Sequence, residues 1–291
     1  MDVTPFAQAV VNGLLMGGLY ALVAVGLTII FGTMNVVNFA HGEFVMIGMF
    51  ATYWLFQFTG LDPLILIFAV VPIMFVFGAL VQRTLIQRVV SESHETQILL
   101  TLGISVLLMN TALLMWGPQP RSIPTPYAFA ALGIGGVRIP LPRLIAFAVA
   151  MLLAAILWAF LTRTDLGRAL RATSENKEWA TLMGIDPVKM YVLAFGIGIA
   201  LAAAAGCLMT PFFSTFPRAG VFFGTIAFVV VVLGGMGNVV GAVLGALVIG
   251  VTESLTGQFV ALDLSMFGVF VIFLLVLIFK PTGIIGGGRL Y

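Results

Sequence analysis

The sequence predicts an all-α, polytopic helical membrane protein, and three observations support this fold class. Of the 291 residues, 61% are hydrophobic and only 8% are charged, against about 25% charged residues in average proteins. Apolar runs of about 20 residues, the length that an α-helix needs to cross a bilayer, recur along the chain. These runs lack the apolar–polar alternation of a transmembrane β-barrel. The whole chain, residues 1–291, is therefore expected to form a single membrane-spanning domain.

Nine apolar segments are candidate transmembrane helices. They comprise residues 6–31, 37–58, 63–82, 97–117, 141–162, 190–211, 221–233, 238–257 and 264–280. The sequence GGMGN at 234–238 interrupts a long hydrophobic run and favours either one kinked span or two short spans joined by a turn. Polar residues also follow the first apolar segment closely. We therefore expect eight or nine transmembrane helices, with broken helices near 33–43 and 234–238.

The distribution of basic residues predicts which side of the membrane each polar segment faces, because cytoplasmic loops are enriched in Lys and Arg. Nine of the thirteen basic residues lie in or beside segments 83–96 and 163–189 and the C-terminus: Arg83, Arg88, Arg163, Arg168, Arg171, Lys177, Lys189, Lys280 and Arg289. We expect these three regions in the cytoplasm and the Pro- and Gly-rich segment 118–140 outside. With nine crossings, the N-terminus also lies outside.

Composition argues against several classes of function. The chain has no basic block, so a nucleic-acid partner is not expected. It has only two His residues and one Cys, Cys207, far apart in sequence, so we expect neither a metal site nor a cofactor. It also lacks the G-x-x-x-x-G-K-[ST] motif that binds nucleotide phosphates. The chain is therefore not expected to be an enzyme or to hydrolyse ATP, and no catalytic residues are assigned.

A polar run after the first apolar segment is the first candidate functional site. It contains Asn35, Asn38, His41, Gly42 and Glu43. Polar groups at membrane depth are costly and usually face a protein interior or a water-filled path. On a regular helix Asn35, Asn38 and Gly42 would share a face, whereas Glu43 would point away from His41 unless the helix unwinds at Gly42. The run either forms part of a translocation path or gate, or caps a broken helix and ties neighbouring helices together.

Asn238 belongs to a second break with a similar sequence. Residues 238–245 read NVVGAVLG and parallel NVVNFAHG at 35–42, and both stretches follow an apolar segment. Transporters often contain inverted repeats whose broken helices meet near the membrane midplane, although chance similarity in an apolar chain is the alternative. Asn238 is therefore a second candidate for the gate. Glu253, near the end of the next apolar segment, is expected at a helix end near the membrane interface.

The polar segment 163–189 is expected to be the longest cytoplasmic loop and to contain a short helix. Ser174 is the expected N-cap of this helix, with Glu175 in its first turn, because Ser favours the N-cap and acidic residues favour the first turn. Gly184 is the expected stop at the other end, because Gly is common immediately after a helix.

An apolar face is expected on this short helix. Trp179, Leu182 and Met183 are spaced by three and four residues and therefore fall on the same side. An exposed apolar patch on a soluble loop favours a protein partner or a membrane surface. The alternative is that the patch packs against the helix ends of the same chain.

Several motifs resemble those of ABC importer permeases, in particular the branched-chain amino-acid permeases of the LivH type. Glu178-Trp179-Ala180, followed by Gly184, is similar to the EAA-xxx-G loop of these permeases, with Trp in the second position. The surrounding sequence GRALRATSENKEWATLMGID also resembles their loop. Three further stretches also resemble sequences of these permeases: GLYALVAVGLTIIFG with NFAHGE near the N-terminus, the later GGMGN-VVGAVLGA, and KPTG near the C-terminus. Together these motifs cover nearly the whole chain in order.

The resemblance implies a permease subunit of an ABC importer in a prokaryotic inner membrane, carrying branched-chain or related amino acids or small polar solutes. It implies two cytoplasmic ATPase subunits, a second related permease or a second copy of the chain, and a periplasmic or lipid-anchored binding protein. The coupling loop 163–189 would dock on an ATPase. The docking residues implied are Glu175, Glu178, Trp179, Ala180, Leu182, Met183 and Gly184.

Three other function classes are alternatives to an ABC permease. A secondary transporter driven by protons or sodium is the main alternative, because it would also be polytopic and Gly-rich with buried polar groups. A channel would need neither partner nor energy. An intramembrane enzyme would need converging catalytic groups, and His41 with Glu43 is too sparse a pair. The resemblance of the docking loop favours the ABC permease.

Overall fold

A computed structural model describes residues 4–286 of the chain, and the predicted helical fold class is confirmed. The helices are α1 (Thr4–Met34), α2 (His41–Thr59), α3 (Pro63–Thr84), α4 (His94–Trp116), α5 (Leu141–Arg163), α6 (Asp165–Glu175), α7 (Lys177–Leu182), α8 (Pro187–Met209), α9 (Ala219–Gly234), α10 (Val239–Phe259) and α11 (Ser265–Phe279). Short 3-10 helices span Ile86–Arg88 and Leu262–Leu264. A small antiparallel hairpin, β1 (Ala131–Ile134) and β2 (Val137–Pro140), was not predicted.

Seven of these helices are long and apolar enough to cross a membrane by length and composition: α1, α3, α4, α5, α8, α10 and α11. Two further apolar helices, α2 and α9, fall short of this criterion for separate reasons. The first turn of α2 is polar, and α9 has 16 residues, which give a length of about 24 Å at 1.5 Å per residue. The described residues therefore contain seven candidate membrane-spanning helices, with α9 as a shorter apolar helix, whereas the sequence predicts eight or nine.

One end of the bundle, the hairpin end, is organised around the segment 118–140. The Arg138 amide donates a hydrogen bond of 2.8 Å to Oε1 of Gln8, and Nε2 of Gln8 donates one of 2.7 Å to the Arg138 carbonyl. The Tyr127 hydroxyl donates a hydrogen bond of 2.8 Å to Asp62, the N-cap of α3. These contacts join the start of α1 and the start of α3 to the segment 118–140.

The opposite end, the loop end, brings together the breaks after α1 and α9 and the segment 163–189. Eight of the nine basic residues predicted to be cytoplasmic belong to segments at this end, and the ninth, Arg289, lies outside the described residues. The four remaining Arg residues, Arg121, Arg138, Arg143 and Arg218, belong to the hairpin end. Twice as many of the described basic residues therefore belong to the loop end as to the hairpin end.

Helices α1 and α8 form the centre of the bundle. Of their most apolar 18-residue windows, 83% is buried, compared with 17% for α4 and 6% for α11. Glycines allow the central helices to approach closely: a Cβ atom added to Gly26 of α1 would lie 2.5 Å from the carbonyl oxygen of Gly198 of α8. Small residues serve this purpose in membranes, where packing rather than hydrophobicity drives helix association.

Candidate gate and coupling site

The predicted break near 33–43 is confirmed and lies between α1 and α2. Asn35 follows α1 with a φ of 54°, a left-handed conformation that is uncommon for residues other than glycine. The chain remains non-helical to residue 40, and α2 begins at His41. The single helical face proposed for Asn35, Asn38 and Gly42 is therefore wrong, because the backbone between them is not a helix.

Each polar side chain of this break has a separate environment. Asn38 is buried, and its Oδ1 accepts a hydrogen bond of 3.1 Å from the Ala40 amide. Asn35, in contrast, is exposed at the loop end. The break itself is held by α4, because the Thr101 hydroxyl contacts the carbonyl oxygen of Val37 at 3.3 Å. Irregular backbone at membrane depth is tolerated where protein surrounds it in this way.

His41 and Glu43 are both buried but face different helices, so they do not form a pair. Nε2 of His41 lies 3.0 Å from the carbonyl oxygen of Val23 in α1. Oε1 of Glu43 accepts a hydrogen bond of 3.2 Å from Ser105 in α4. Among the described residues, Nδ1 of His41 and Oε2 of Glu43 have no hydrogen-bond partner. Both side chains thus tie α2 to a neighbour and retain unused polar atoms.

Gly42 lies at the closest approach of α2 and α9. A Cβ atom added at this position would lie 2.6 Å from the Cα of Gly224 and would also clash with the Gly220 carbonyl oxygen. The side chain of Glu43 is also packed against Gly220, where an added Cβ would lie 2.6 Å from the carboxyl carbon. The first turns of these two helices therefore meet through backbone atoms and the Glu43 carboxylate.

The second predicted break, at 234–238, is also confirmed, and it separates two helices. Gly235 and Gly237 have positive φ angles of 104° and 86°, which glycine adopts readily. Asn238 then caps α10, because its Oδ1 accepts a hydrogen bond of 2.8 Å from the Gly241 amide. A single kinked helix is therefore ruled out here, since α9 and α10 are separate helices joined by a turn at residues 235–238.

The short helix of segment 163–189 begins later than the sequence predicts. Helix α6 occupies Asp165–Glu175, so Ser174 and Glu175 lie in its last turn, and the Ser174 hydroxyl donates to the Arg171 carbonyl at 2.7 Å. The N-cap of α7 is Asn176, which has an extended backbone. Its Oδ1 accepts hydrogen bonds of 2.9 and 3.0 Å from the amides of Glu178 and Trp179. The prediction of Ser174 as the cap is therefore wrong.

The other features of α7 agree with the sequence. Gly184 follows the helix with a φ of 83°, which suits a glycine stop. Trp179, Leu182 and Met183 are 72%, 85% and 83% exposed, whereas Ala180 is buried. The apolar side chains therefore project away from the protein and do not pack on its own helix ends. Glu178 is exposed beside them.

A cavity of about 450 Å³ joins the two candidate sites at the loop end. Its lining includes residues 32–35 from the end of α1, residues 90–92 before α4, and residues 173–177 from the joint between α6 and α7. Asn35 and Glu175 thus line one space, although they are 140 positions apart in the sequence. Asn238 lies at the separate break between α9 and α10 and does not line this cavity.

Two residues with clear structural roles at these sites were missed by sequence reasoning. Asn176 had a usable signal, because Asn is as good an N-cap as Ser and stands directly before Lys177. Ser105 had none, because its partner Glu43 lies 62 residues away and no local pattern connects them.

Comparison with known proteins identifies the family. Residues 9–279 match the family described as "Branched-chain amino acid transport system / permease component". The high-affinity branched-chain amino acid transport system permease protein BraD of Pseudomonas aeruginosa is 33% identical, over 98% of this chain and 97% of its own length. LivH of Salmonella typhimurium is 31% identical, over 97% and 96%. LivM of the same species is 26% identical, over 92% of this chain and 68% of its own length. The chain therefore belongs to the family of permease components of branched-chain amino acid transport systems.

Proposed function

We propose that this multi-pass permease is a subunit of an ABC importer in a prokaryotic inner membrane, with residues 1–291 as a single permease domain. Its cargo would be branched-chain or related amino acids, or other small polar solutes. The names of BraD and LivH support this substrate class, because both are described as high-affinity branched-chain amino acid permeases.

The partners proposed are two cytoplasmic ATPase subunits, a second permease and a periplasmic or lipid-anchored binding protein. The second permease is either a relative or another copy of this chain. Similarity to LivM as well as LivH of one species supports the first of these, because both are named as permease proteins of one kind of transport system. ATP hydrolysis is assigned to the separate subunits.

The observation that carries the proposal is the exposed apolar face of α7. Three large apolar side chains are each more than 70% exposed: Trp179 and Leu182 in the six-residue helix α7, and Met183 directly after it. Contiguous exposed apolar surface of this kind marks interaction sites. The helix lies at the basic end of the bundle, which the positive-inside rule assigns to the cytoplasm. An ATPase subunit is the partner that an importer would supply there.

The position of α7 in the chain suits a mechanical link. Helix α5 leads through Thr164 into α6, and α8 begins at Pro187, shortly after α7. A force on α7 therefore acts on α5 and on α8, which packs in the centre of the bundle against α1, α2 and α3. The joint at residues 173–177 also borders the break at Asn35 across the shared cavity. Rigid-body displacement of α6 and α7 would thus move residues 173–177 relative to residues 32–35 on the opposite wall of this space.

The gate is proposed at the two breaks, with Asn35, Asn38, His41, Gly42, Glu43 and Asn238 as its residues. Support comes from the unused polar atoms of Asn38, His41 and Glu43, which are buried without protein partners among the described residues. Buried polar groups without partners call for an explanation. A second arrangement of the helices, in which these atoms meet water or cargo, would provide one.

The test is purification of the tagged chain from its native membrane in mild detergent, followed by identification of the co-purifying subunits. We expect ATPases with phosphate-binding loops and ATP-dependent uptake of L-leucine after reconstitution with the binding protein. Replacing both Trp179 and Leu182 with alanine should reduce ATPase recovery at least tenfold, because buried aromatic anchors at interfaces contribute about 2 kcal/mol or more.

Leu166→Ala is the matched control, because Leu166 is an exposed apolar residue of the same loop but belongs to α6. It should leave ATPase recovery and uptake unchanged. Full ATPase binding and transport by the double variant would contradict the coupling assignment. Uptake driven by an ion gradient without ATP would instead establish a secondary transporter.

A further inference from the structure

A second polar cavity lies among α1, α5 and α10 towards the hairpin end of the bundle. Its volume is about 330 Å³, within the range of about 300–1,000 Å³ that small-molecule pockets occupy. Polar groups on its wall come from Asn12 and Tyr20 of α1, Arg143 of α5 and Glu253 of α10. The gate and coupling residues discussed above do not line it.

Glu253 lies deeper in α10 than the helix end at which the sequence predicts it. It is followed by six further residues of α10, which place it about 9 Å below the helix end at 1.5 Å per residue. Its carboxylate interacts with the hydroxyl of Tyr20, a residue that is only 2% exposed. An acidic group held at this depth by a buried tyrosine is typical of a functional position.

Arg143 supplies the opposite charge on the same wall. Its guanidinium carbon lies 5.6 Å from the ring centroid of Phe212, so the aromatic face helps to fix the side chain. Arg143 and Glu253 do not form a direct ion pair: within residues 4–286, both salt bridges lie in the segment 165–189. The two charges therefore share a cavity without neutralising one another by contact.

Asn12 also lines the cavity, and one of its polar atoms lacks a partner. Its side-chain oxygen, Oδ1, is buried and has no hydrogen-bond partner among the described residues. Leaving a buried acceptor unsatisfied costs about 1–3 kcal/mol. A side-chain rearrangement that exposes this oxygen to the cavity would allow a hydrogen-bond donor on an occupant to remove this penalty. Apolar surface from Met16, Phe213 and Phe222 completes the wall.

We propose that this cavity is an amino-acid-binding site of the permease itself. Arg143 binds the α-carboxylate, Glu253 binds the α-ammonium, and the apolar wall contacts the side chain. A zwitterion is favoured because it places an opposite charge beside each of the two half-buried protein charges. The inference rests on the proposed import function and adds a site within the permease to the one expected in the binding protein.

The test measures equilibrium binding of L-leucine to the purified complex, without the binding protein and in maltoside detergent without added phospholipid. L-Leucinamide, which lacks the carboxylate, and 4-methylpentanoate, which lacks the ammonium, are the comparison ligands. We expect saturable leucine binding and at least tenfold weaker binding of both analogues. This comparison uses the unmodified protein and therefore does not depend on whether any variant folds.

Two variants then test which charged group of the ligand each protein residue binds. Arg143→Gln should weaken leucine binding at least tenfold and abolish the preference for leucine over leucinamide. Glu253→Gln should abolish the preference for leucine over 4-methylpentanoate. Arg138→Gln and Asp263→Asn are the controls, because both residues are exposed at the same end and outside the cavity. Both controls should bind leucine as the unmodified complex does.

Three results would overturn the inference: no saturable leucine binding, equal binding of leucine and both analogues, or unchanged preferences in both variants. A phospholipid headgroup carries the same charges as an amino acid, so glycerophosphoethanolamine is tested in parallel. Binding of this compound without binding of leucine would also overturn the proposal. If the complex still contains its ATPases, the proposed function survives each of these results. Purification of the chain without ATPases would instead contradict the proposed function, whatever the affinity for leucine.

Discussion

Ser105 of α4 donates a hydrogen bond of 3.2 Å to Oε1 of Glu43, in the first turn of α2. The other carboxylate oxygen of Glu43 has no partner among the described residues. Ser105 therefore provides the hydrogen bond from another helix that holds this buried carboxyl group in place. Because the contact joins α4 to the break between α1 and α2, changes in it are expected to alter the proposed gate.

Replacing Ser105 with alanine should lower the free energy of unfolding by about 1–3 kcal/mol, because a buried carboxyl group loses its partner. Thermal unfolding of the detergent-solubilised protein measures this effect. Asn110→Ala in the same helix is the control, since Asn110 is exposed and its side chain bonds only to Val106 of its own turn. Equal destabilisation by both variants would show that the contact with Glu43 is unimportant.

Replacing Gly42 with alanine should separate α2 from α9, because the added methyl group would lie 2.6 Å from the Cα of Gly224. Overpacking of this kind costs about 1–3 kcal/mol, and uptake should fall with stability. Gly103→Ala is the matched control, because a Cβ atom there meets no other atom within 4 Å. We expect this control to be neutral or slightly stabilising, as alanine favours the helix. A neutral Gly42→Ala variant would contradict the close approach.

Replacing Asn176 with alanine should destabilise α7 by about 1 kcal/mol, because two backbone amides lose their acceptor. We expect weaker ATPase recovery and slower ATP-dependent uptake, with partial restoration by Asn176→Asp. Ser174→Ala should have little effect on α7, since the Ser174 hydroxyl bonds only to Arg171 within α6. A larger loss in Ser174→Ala than in Asn176→Ala would restore the original assignment of the cap.

Because of Tyr127, the stability of the hairpin end should decrease at alkaline pH. Burial, the hydrogen bond to Asp62 and the charge of Asp62 raise the pKa of Tyr127 well above its usual 10.0. The folded protein therefore holds this proton more tightly than the unfolded chain, and the stability gained below pH 10 is lost as the pH rises further. Unfolding temperatures measured from pH 8 to about pH 11 should fall less steeply for Tyr127→Phe. Identical slopes would contradict this prediction.

The sequence predicts the helices well because, in a membrane, the backbone N–H and C=O groups of each long apolar run must form hydrogen bonds within that run. The predicted span 141–162 and the observed α5, Leu141–Arg163, differ by one residue at the C-terminal end. Both breaks were also predicted, since Gly and Asn residues interrupt apolar sequence there. The cap of α7 was misplaced because two consecutive short helices, α6 and α7, cannot be separated by composition alone.

The sites were predicted less completely because they depend on distant residues. The exposed face of α7 follows from local spacing, so Trp179, Leu182 and Met183 were found directly. The cavity around Glu253 joins residues from the first and the tenth helices, more than 230 positions apart. Only the packing of α1 against α10 brings Tyr20 to Glu253. No local sequence pattern predicts that packing.

The glycine contacts between the central helices also determine how they can move. Gly26 of α1 faces Gly198 of α8, and Gly42 of α2 faces Gly220 and Gly224 of α9. Helices that interlock through large side chains must jump from one groove to the next when they slide. At these crossings backbone packs mainly against backbone, with the side chains of Ile30 at Gly198 and Glu43 at Gly220. Displacements much smaller than a helical turn would therefore require few side chains to repack.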